Sequence, residues 1–292
     1  MIRRLINAAK GFAKLRLVSR DVSCIREDLA LNNRLLANAE RDRLLAAPEL
    51  AAAGRLERFG FKAFSQNDED GIICEIFRRI GTTDKRFIEF GTGDGLENNS
   101  AYLLCQGWTG LWIDGAKANC DAQKKNFGWA IDKQQLRSVQ DFLTVDNINR
   151  IFTDAGVEGE IDLLSVDVDG NDYHLWQAIT IVQPRVVVIE YNAYVRPPVR
   201  WVMQYKPDYA WDGESTYFNS SLESLSRLGD EKGYALVGCN LCGLNAFFVR
   251  KDLVADQFYA EGSATTLFQP RRWWTNAAYN NGQIPFDRPF VQ

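Results

Sequence analysis

The chain carries a single histidine, His174, in 292 residues. One imidazole excludes a His-rich metal centre and any mechanism that needs two of them. Six cysteines over this length are too sparse for a disulfide framework. No apolar run approaches the roughly 20 residues that cross a bilayer as a helix. The N-terminus, Met1-Ile-Arg-Arg-Leu-Ile, shows neither a continuous apolar stretch nor a small-residue cleavage site, so no signal peptide is expected. A formal net charge of -4 gives no global basic field, and nucleic acid is not an expected partner. A reduced, cytoplasmic setting is the expectation. Against these absences stand 46% hydrophobic and 25% charged residues, the balance of an ordinary globular chain with room for one large domain.

Residues 1–58 read as a helical arm, rich in Ala, Leu, Arg and Asn and with Pro48 as their only proline. Leu15, Val18, Val22, Ile25, Leu29, Asn32, Leu36 and Ala39 alternate spacings of three and four, the seam of a coiled coil. Asn32 on that seam is a register-fixing polar residue. Self-association through this arm is expected. The first 20 residues carry Arg3, Arg4, Lys10, Lys14, Arg16 and Arg20 and no acid. With Leu5, Ile6 and Phe12 interleaved, they suggest peripheral contact with a membrane, at its inner face.

From about residue 60 the pattern changes to short apolar runs alternating with helical segments. Arg86–Phe90, Gly110–Ile113, Leu136–Phe142, Ile161–Val168 and Arg185–Tyr191 read as parallel strands covered on both faces. Tyr234–Gly238 and Asn245–Arg250 lie too close for a crossover and form an antiparallel hairpin. The expected fold is α/β, a doubly wound sheet with a terminal antiparallel hairpin, preceded by the coiled-coil helix. The expected units are an arm at 1–58, a body at 59–255 and a tail at 256–292 packed near an acceptor.

The first strand ends Phe87-Ile88-Glu89-Phe90-Gly91-Thr92-Gly93-Asp94-Gly95. A dinucleotide fingerprint needs a further glycine at 96, where Leu96 stands. Asp114 closes the next strand about 20 residues on, where an acid accepts hydrogen bonds from both hydroxyls of a ribose. The acid-x-G-x-G-x-G pattern resembles motif I of class I S-adenosylmethionine-dependent methyltransferases. Ser65-Gln66-Asn67-Asp68-Glu69-Asp70-Gly71, the stretch from Gly91 to Ser100, Ser165-Val166-Asp167-Val168-Asp169-Gly170-Asn171-Asp172 and Asn245-Ala246-Phe247-Phe248-Val249 are similar to the FkbM-related branch. That branch carries K-I-D-V-E-G on its fourth strand; here Ser165 replaces the Lys and Asp169 the Glu. The resemblance covers residues 60–255 and implies a Rossmann-like seven-stranded sheet with S-adenosylmethionine as cofactor. The cofactor residues it implies are Gln66, Glu89, Gly91, Thr92, Gly93, Asn99, Asp114, Asp141, Phe142 and Asp167, with Asp141 at the adenine amino group.

The D-x-D of Asp167 and Asp169 is also similar to metal-dependent sugar O-methyltransferases. That likeness implies Mg²⁺ or Mn²⁺ on Asp167, Glu190 and Asn192, hard oxygen ligands suited to either ion. It implies Asp169 as the base that deprotonates a hydroxyl. The paired acids of those enzymes after the fifth strand are here Tyr191-Asn192, a departure. His174, as the only imidazole, is a second candidate base. Tyr194, Pro197, Pro198, Trp201, Tyr205, Tyr209, Trp211 and Tyr217 follow the fifth strand as an aromatic segment fit for a lid over an acceptor. Arg271-Arg272-Trp273-Trp274 adds candidate anion recognition.

The expected activity is methyl transfer from S-adenosylmethionine to a sugar hydroxyl of a polysaccharide or glycolipid. The alternatives are a small-molecule O-methyltransferase of antibiotic type, a nicotinamide oxidoreductase on a similar sheet, and a non-catalytic coiled-coil scaffold. Cys239-Asn-Leu-Cys242 has metal-like spacing but no second ligand pair, and reads as a hairpin turn.

Overall fold

The structure, a computed structural model, describes residues 2–272 and Trp274, and for residues 2–20 the backbone alone. The side chains of the basic stretch and the tail beyond Trp274 lie outside it, as does Trp273. The elements run α1 (Ile2–Leu45), α2 (Pro48–Ala51), α3 (Glu69–Ile80), β1 (Arg86–Phe90), α4 (Ala101–Cys105), β2 (Thr109–Asp114) and α5 (Lys117–Asp132). They continue with β3 (Leu136–Gln140), α6 (Ile148–Asp154), β4 (Gly159–Val166), α7 (Asp172–Ala178) and β5 (Val182–Glu190). Last come α8 (Leu222–Glu231), β6 (Tyr234–Cys239), β7 (Asn245–Arg250) and α9 (Ala264–Leu267). No helix among the described residues is long and apolar enough to cross a membrane.

One seven-stranded sheet, in the order β3-β2-β1-β4-β5-β7-β6, organises the body. Strands β1 to β5 pair in parallel, and β7 enters antiparallel between β5 and β6. This is the expected Rossmann-like sheet with its terminal hairpin. Its strands are covered on both sides because alternate residues serve opposite cores. Ile88, Phe90, Leu164 and Phe248 face one core with Trp176. Phe87, Trp112, Leu163, Val188 and Phe247 face the other with Ile72, Ile73 and Ile76 of α3. The helices close locally. Ser221 caps α8 by accepting from the Ser224 N–H, and Gly81 ends α3 at φ +70°.

Three strand ends differ from the sequence reading. β3 stops at Gln140, so Asp141 and Phe142 belong to the following loop. β4 stops at Val166, which frees Asp167 to Asp172 to form a tight loop, and Tyr191 lies just past β5. Apolar content extends beyond the ladder because loop residues such as Leu143 and Tyr191 also fill the core.

Strand order reverses between β1 and β4. In open α/β sheets, ligands bind outside the carboxyl ends of the strands at such a switch point. The loops after β1 and β4 therefore frame the site.

Candidate active site

Gly91, Gly93 and Gly95 leave β1 at φ +74°, +47° and +88°, the left-handed region that favours glycine. A Cβ on Gly91 would lie 1.4 Å from the Asp167 carbonyl oxygen, so the loops after β1 and β4 meet backbone to backbone. Two cavities open on either side of this contact and share Gly91, Gly93, Asp167 and Asp169. Together they form one long crevice. No Lys or Arg lines either half among the described residues.

The first half lies over β2 and β3. Asp114 accepts from the Gly93 N–H at 2.8 Å through Oδ2, and from the Ala116 N–H and Asn119 Nδ2 through Oδ1. Its carboxylate thus shapes the glycine loop while lining the cavity. Asp141 and the exposed ring of Phe142 line the same half. Thr92 turns inward, its hydroxyl accepting from Gln123 Nε2 at 2.9 Å. It is a loop support more than a contact surface.

The second half runs toward Gln66 and Asn245. Glu89 forms its floor, accepting from the Asn99 N–H at 2.8 Å, the Ser100 N–H at 3.0 Å, the Ser165 hydroxyl at 3.2 Å and the Ser100 hydroxyl. Burial pushes its carboxyl up, and these donors pull it back. Asn99 donates from Nδ2 to Ser165 Oγ at 3.0 Å, so Ser165 ties β4 to Glu89 of β1 and to the loop that follows β1. Two buried polar atoms of its lining residues have no partner: Asn98 Nδ2 and Asn245 Oδ1. The Asn245 amide is oriented by its other end, which donates to Glu69 at 2.9 Å. One unpaired donor and one unpaired acceptor thus belong to residues that line this half of the crevice.

Between the halves, Asp167, Asp169 and Glu190 bring one carboxylate oxygen each within 4.8 Å of one another. Burial, then Glu190, Asp169 and Asp172, push the Asp167 carboxyl well up. Burial and the Asp172 and Asp169 charges do the same to Glu190, opposed by Arg271 and by the Asn219 side-chain amide. Burial also raises Asp169. Asp169 sits at φ +56°, held there because Asp172 accepts from the Val168 and Gly170 N–H groups on either side. Like charges so close favour either shared protons or a bound cation.

Two expected residues stand elsewhere. Asn192 is fully buried and spends its amide on the connector after β5. Its Nδ2 donates to the Thr216 and Phe218 carbonyls, and its Oδ1 accepts from the Tyr194 N–H. Its amide is thus committed to the connector and not to an ion, and Asp169 completes the acid trio in its place. His174 Nε2 donates to the Met203 carbonyl at 2.8 Å, and its ring packs edge-on against Tyr173 and Tyr205. It lines neither half of the crevice and serves to fasten the connector.

Of the aromatic segment, Tyr209 and Trp211 border the crevice beside Phe142. Tyr209 lies close enough to Gly170 that a Cβ there would be 2.5 Å from its ring. Tyr205 instead accepts from the Val145 N–H, and Trp201 packs edge-on against Tyr217. The tail also reaches this region: Tyr191 donates to the Gln269 carbonyl at 2.6 Å and Arg272 to the Leu241 carbonyl. Cys239 and Cys242 are free, buried thiols.

The carboxyl of Asp70, pushed up by burial to about 6, accepts from the Ala63, Phe64 and Ser65 N–H groups just before Gln66. Burial likewise raises Asp172 to about 6. Both values exceed the ordinary 3.8, so the folded chain holds these protons more tightly than the unfolded chain. This contribution to stability is present at low pH and is lost as pH rises through about 6. In thermal unfolding across buffers, the melting temperature should rise by about 5 °C on acidification from about pH 6 to about 4.5. Asp70→Asn should flatten the dependence.

No protein-family model matches the chain, and no curated protein matches it. Among solved structures, it is similar to the methyltransferase domain of bacterial CtHen1-C at 13% identity and TM-score 0.42, covering 63% of this chain and 97% of that one. The N-terminal domain of EvdMO1 with SAH bound is similar at 14% identity and TM-score 0.40, over 62% of this chain and 79% of that one. PKMT2 from Rickettsia typhi is similar at 8% identity and TM-score 0.43, over 66% and 55%. The strand order itself, not these likenesses, defines the fold.

Proposed function

We propose that this chain transfers a methyl group from S-adenosylmethionine to a hydroxyl oxygen of a sugar acceptor, of polysaccharide or glycolipid type. The observation that carries the reading is the crevice at the switch point, free of Lys and Arg among the described residues, with acids at or just past the strand ends and glycines where its two loops meet. Asp114 takes the ribose hydroxyls, Asp141 and Phe142 the adenine, and the backbone of Gly91 and Gly93 lies under the middle of the cofactor. Gln66, Asn98 and Asn245 take the methionine end. No Lys or Arg among the described residues lines this half, so neutral amide donors hold the carboxylate, the unpaired Asn98 Nδ2 among them. Asn245 Oδ1 accepts from the ammonium group.

The reaction breaks the bond from sulfur to the methyl carbon and forms one from that carbon to the acceptor oxygen. The enzyme supplies alignment and a place for the hydroxyl proton. Asp169 borders both halves of the crevice and receives that proton. Burial, which makes its carboxylate a better base, suits it to this role. The acid cluster also fits Mg²⁺ or Mn²⁺, which Asp167 and Glu190 would hold while Asp169 keeps the role of base. Such an ion would lower the pKa of a hydroxyl bound to it. Tyr209 and Trp211 offer ring faces to the apolar side of a sugar. A cytoplasmic site at the inner face of a membrane, where lipid-linked glycans are assembled, agrees with the basic arm.

Calorimetric titration of S-adenosylhomocysteine, with Mn²⁺ and with EDTA, tests the reading. Micromolar binding supports it; no binding in either condition overturns it. Mn²⁺ should raise the melting temperature of the wild type by about 3 °C and leave Glu190→Gln unmoved. An equal shift in the variant removes the ion from this site. Asn98→Ala should weaken S-adenosylhomocysteine about tenfold and leave 5′-methylthioadenosine, which lacks the amino-acid end, unaffected. Equal weakening of both would mean that Asn98 only supports the loop.

A further inference from the structure

Helix α1 has an unused face. From Asp21 to Leu36 every residue except Arg34 is exposed, although the stretch carries large aliphatic side chains. Val22 is 43% exposed, Ile25 57%, Leu29 55% and Leu36 69%. A helix in water draws most of its stability from packing an apolar face, and these side chains are left open to solvent.

The heptad sorts these residues. Val22, Leu29 and Leu36 occupy positions a; Ile25, Asn32 and Ala39 occupy positions d. The covered residues of α1 stand mostly at other positions. They are Arg34 and Arg41 at f, Ala37 and Leu44 at b, and Asn38 and Leu45 at c, with Glu40 at e beside them. Positions b, c and f form the outer face of a coiled coil. Among the described residues, the rest of the chain therefore covers the side that an assembly would turn outward and leaves the seam from Val22 to Leu36 exposed.

We propose that α1 associates with α1 of further copies of this chain, parallel, in register and with more than two strands. Charge sets the direction. In a parallel arrangement a residue at g faces position e, five residues on, of the next helix. Asp21 then faces Arg26, and Asp28 faces Asn33. An antiparallel arrangement sets g against g and brings the two acids toward each other. Register follows from Asn32, whose amide meets its own counterpart only when the helices are level. Strand number follows from residue shape. β-branched residues at both a and d, as Val22 and Ile25 supply, shift the preference from two strands to three or four. Leu35 at g, 58% exposed, widens the apolar seam in the same sense.

The test uses the full chain. Light scattering on the eluting protein should give three or four times the mass of one chain. Ile25→Asp with Leu29→Asp should return it to one chain while S-adenosylhomocysteine affinity and the melting temperature of the body stay unchanged. A single-chain mass for the wild type, or an assembly that survives the double variant, overturns the proposal. A two-chain mass overturns the strand number. For direction, Ile25→Cys and Leu36→Cys are made separately after Cys24 and Cys105, the exposed cysteines, are changed to Ser. A parallel, level bundle cross-links at both positions under mild oxidation. An antiparallel one brings at most one of them to its own copy, so a single cross-linking position, or none, overturns the arrangement.

Discussion

Gly91→Ala should abolish S-adenosylhomocysteine binding. The added Cβ would stand 1.4 Å from the Asp167 carbonyl oxygen and 2.6 Å from its carbon, both backbone atoms that cannot rotate away. The residue also sits at φ +74°, where an L side chain is strained. One loop must therefore leave the other, and the middle of the crevice opens. A loss of roughly 3 kcal/mol or more in stability is expected from such an overlap. The body should still fold, because the contact joins two loops just beyond the ends of β1 and β4 and leaves their pairing in place. Gly93→Ala is the comparison: that position also has positive φ, but no atom lies within 4 Å of its Cβ. It should lose about 1 kcal/mol of stability and keep most of its affinity. Thermal unfolding and calorimetry on the pair separate crowding from backbone strain. Equal, mild effects would mean that the two loops do not meet as described.

Asp114→Ala should weaken the same ligand by about 100-fold or more, since a hydrogen bond to a charged group contributes roughly 1.5–3 kcal/mol and a ribose offers two hydroxyls. Part of the loss is indirect, because the Gly93 N–H gives up its acceptor at 2.8 Å. Asn119→Ala measures the indirect part, as it removes only the side-chain bond to Asp114 at 3.0 Å. It should weaken binding less than tenfold. Undiminished affinity in Asp114→Ala would remove that residue from the ribose.

The ends of β1 and β2 were legible because each is an apolar run closed by a glycine or an acid, whereas β3, β4 and β5 stop one or two residues short of the expected ends. Glu89 to Gly95 and Asp114 are local patterns, and they took their expected places at the carboxyl edge of the sheet. Asn192 and His174 were misread for a common reason: residue type and distance from the strand end matched, but direction did not. One step past β5 the chain turns, and the Asn192 amide goes to carbonyls 24 and 26 residues away. His174 goes to a carbonyl 29 residues away. Asn98 was hidden beside Asn99, since adjacency does not say which amide stays unpaired. Asn245 is oriented by Glu69 across 176 residues, a relation that no local pattern contains. The covered positions of α1 were equally invisible, because a heptad names its seam and not the neighbour of its outer face.

The lack of any Lys or Arg along the crevice, among the described residues, gives the proposed reaction a direction. In that proposal S-adenosylmethionine would bring a positive sulfur into a crevice lined by Asp94, Glu97, Asp167 and Asp169. Methyl transfer would leave a neutral thioether there, so charge would favour the fresh cofactor over the spent one. The gap between the two affinities should narrow as salt screens those acids.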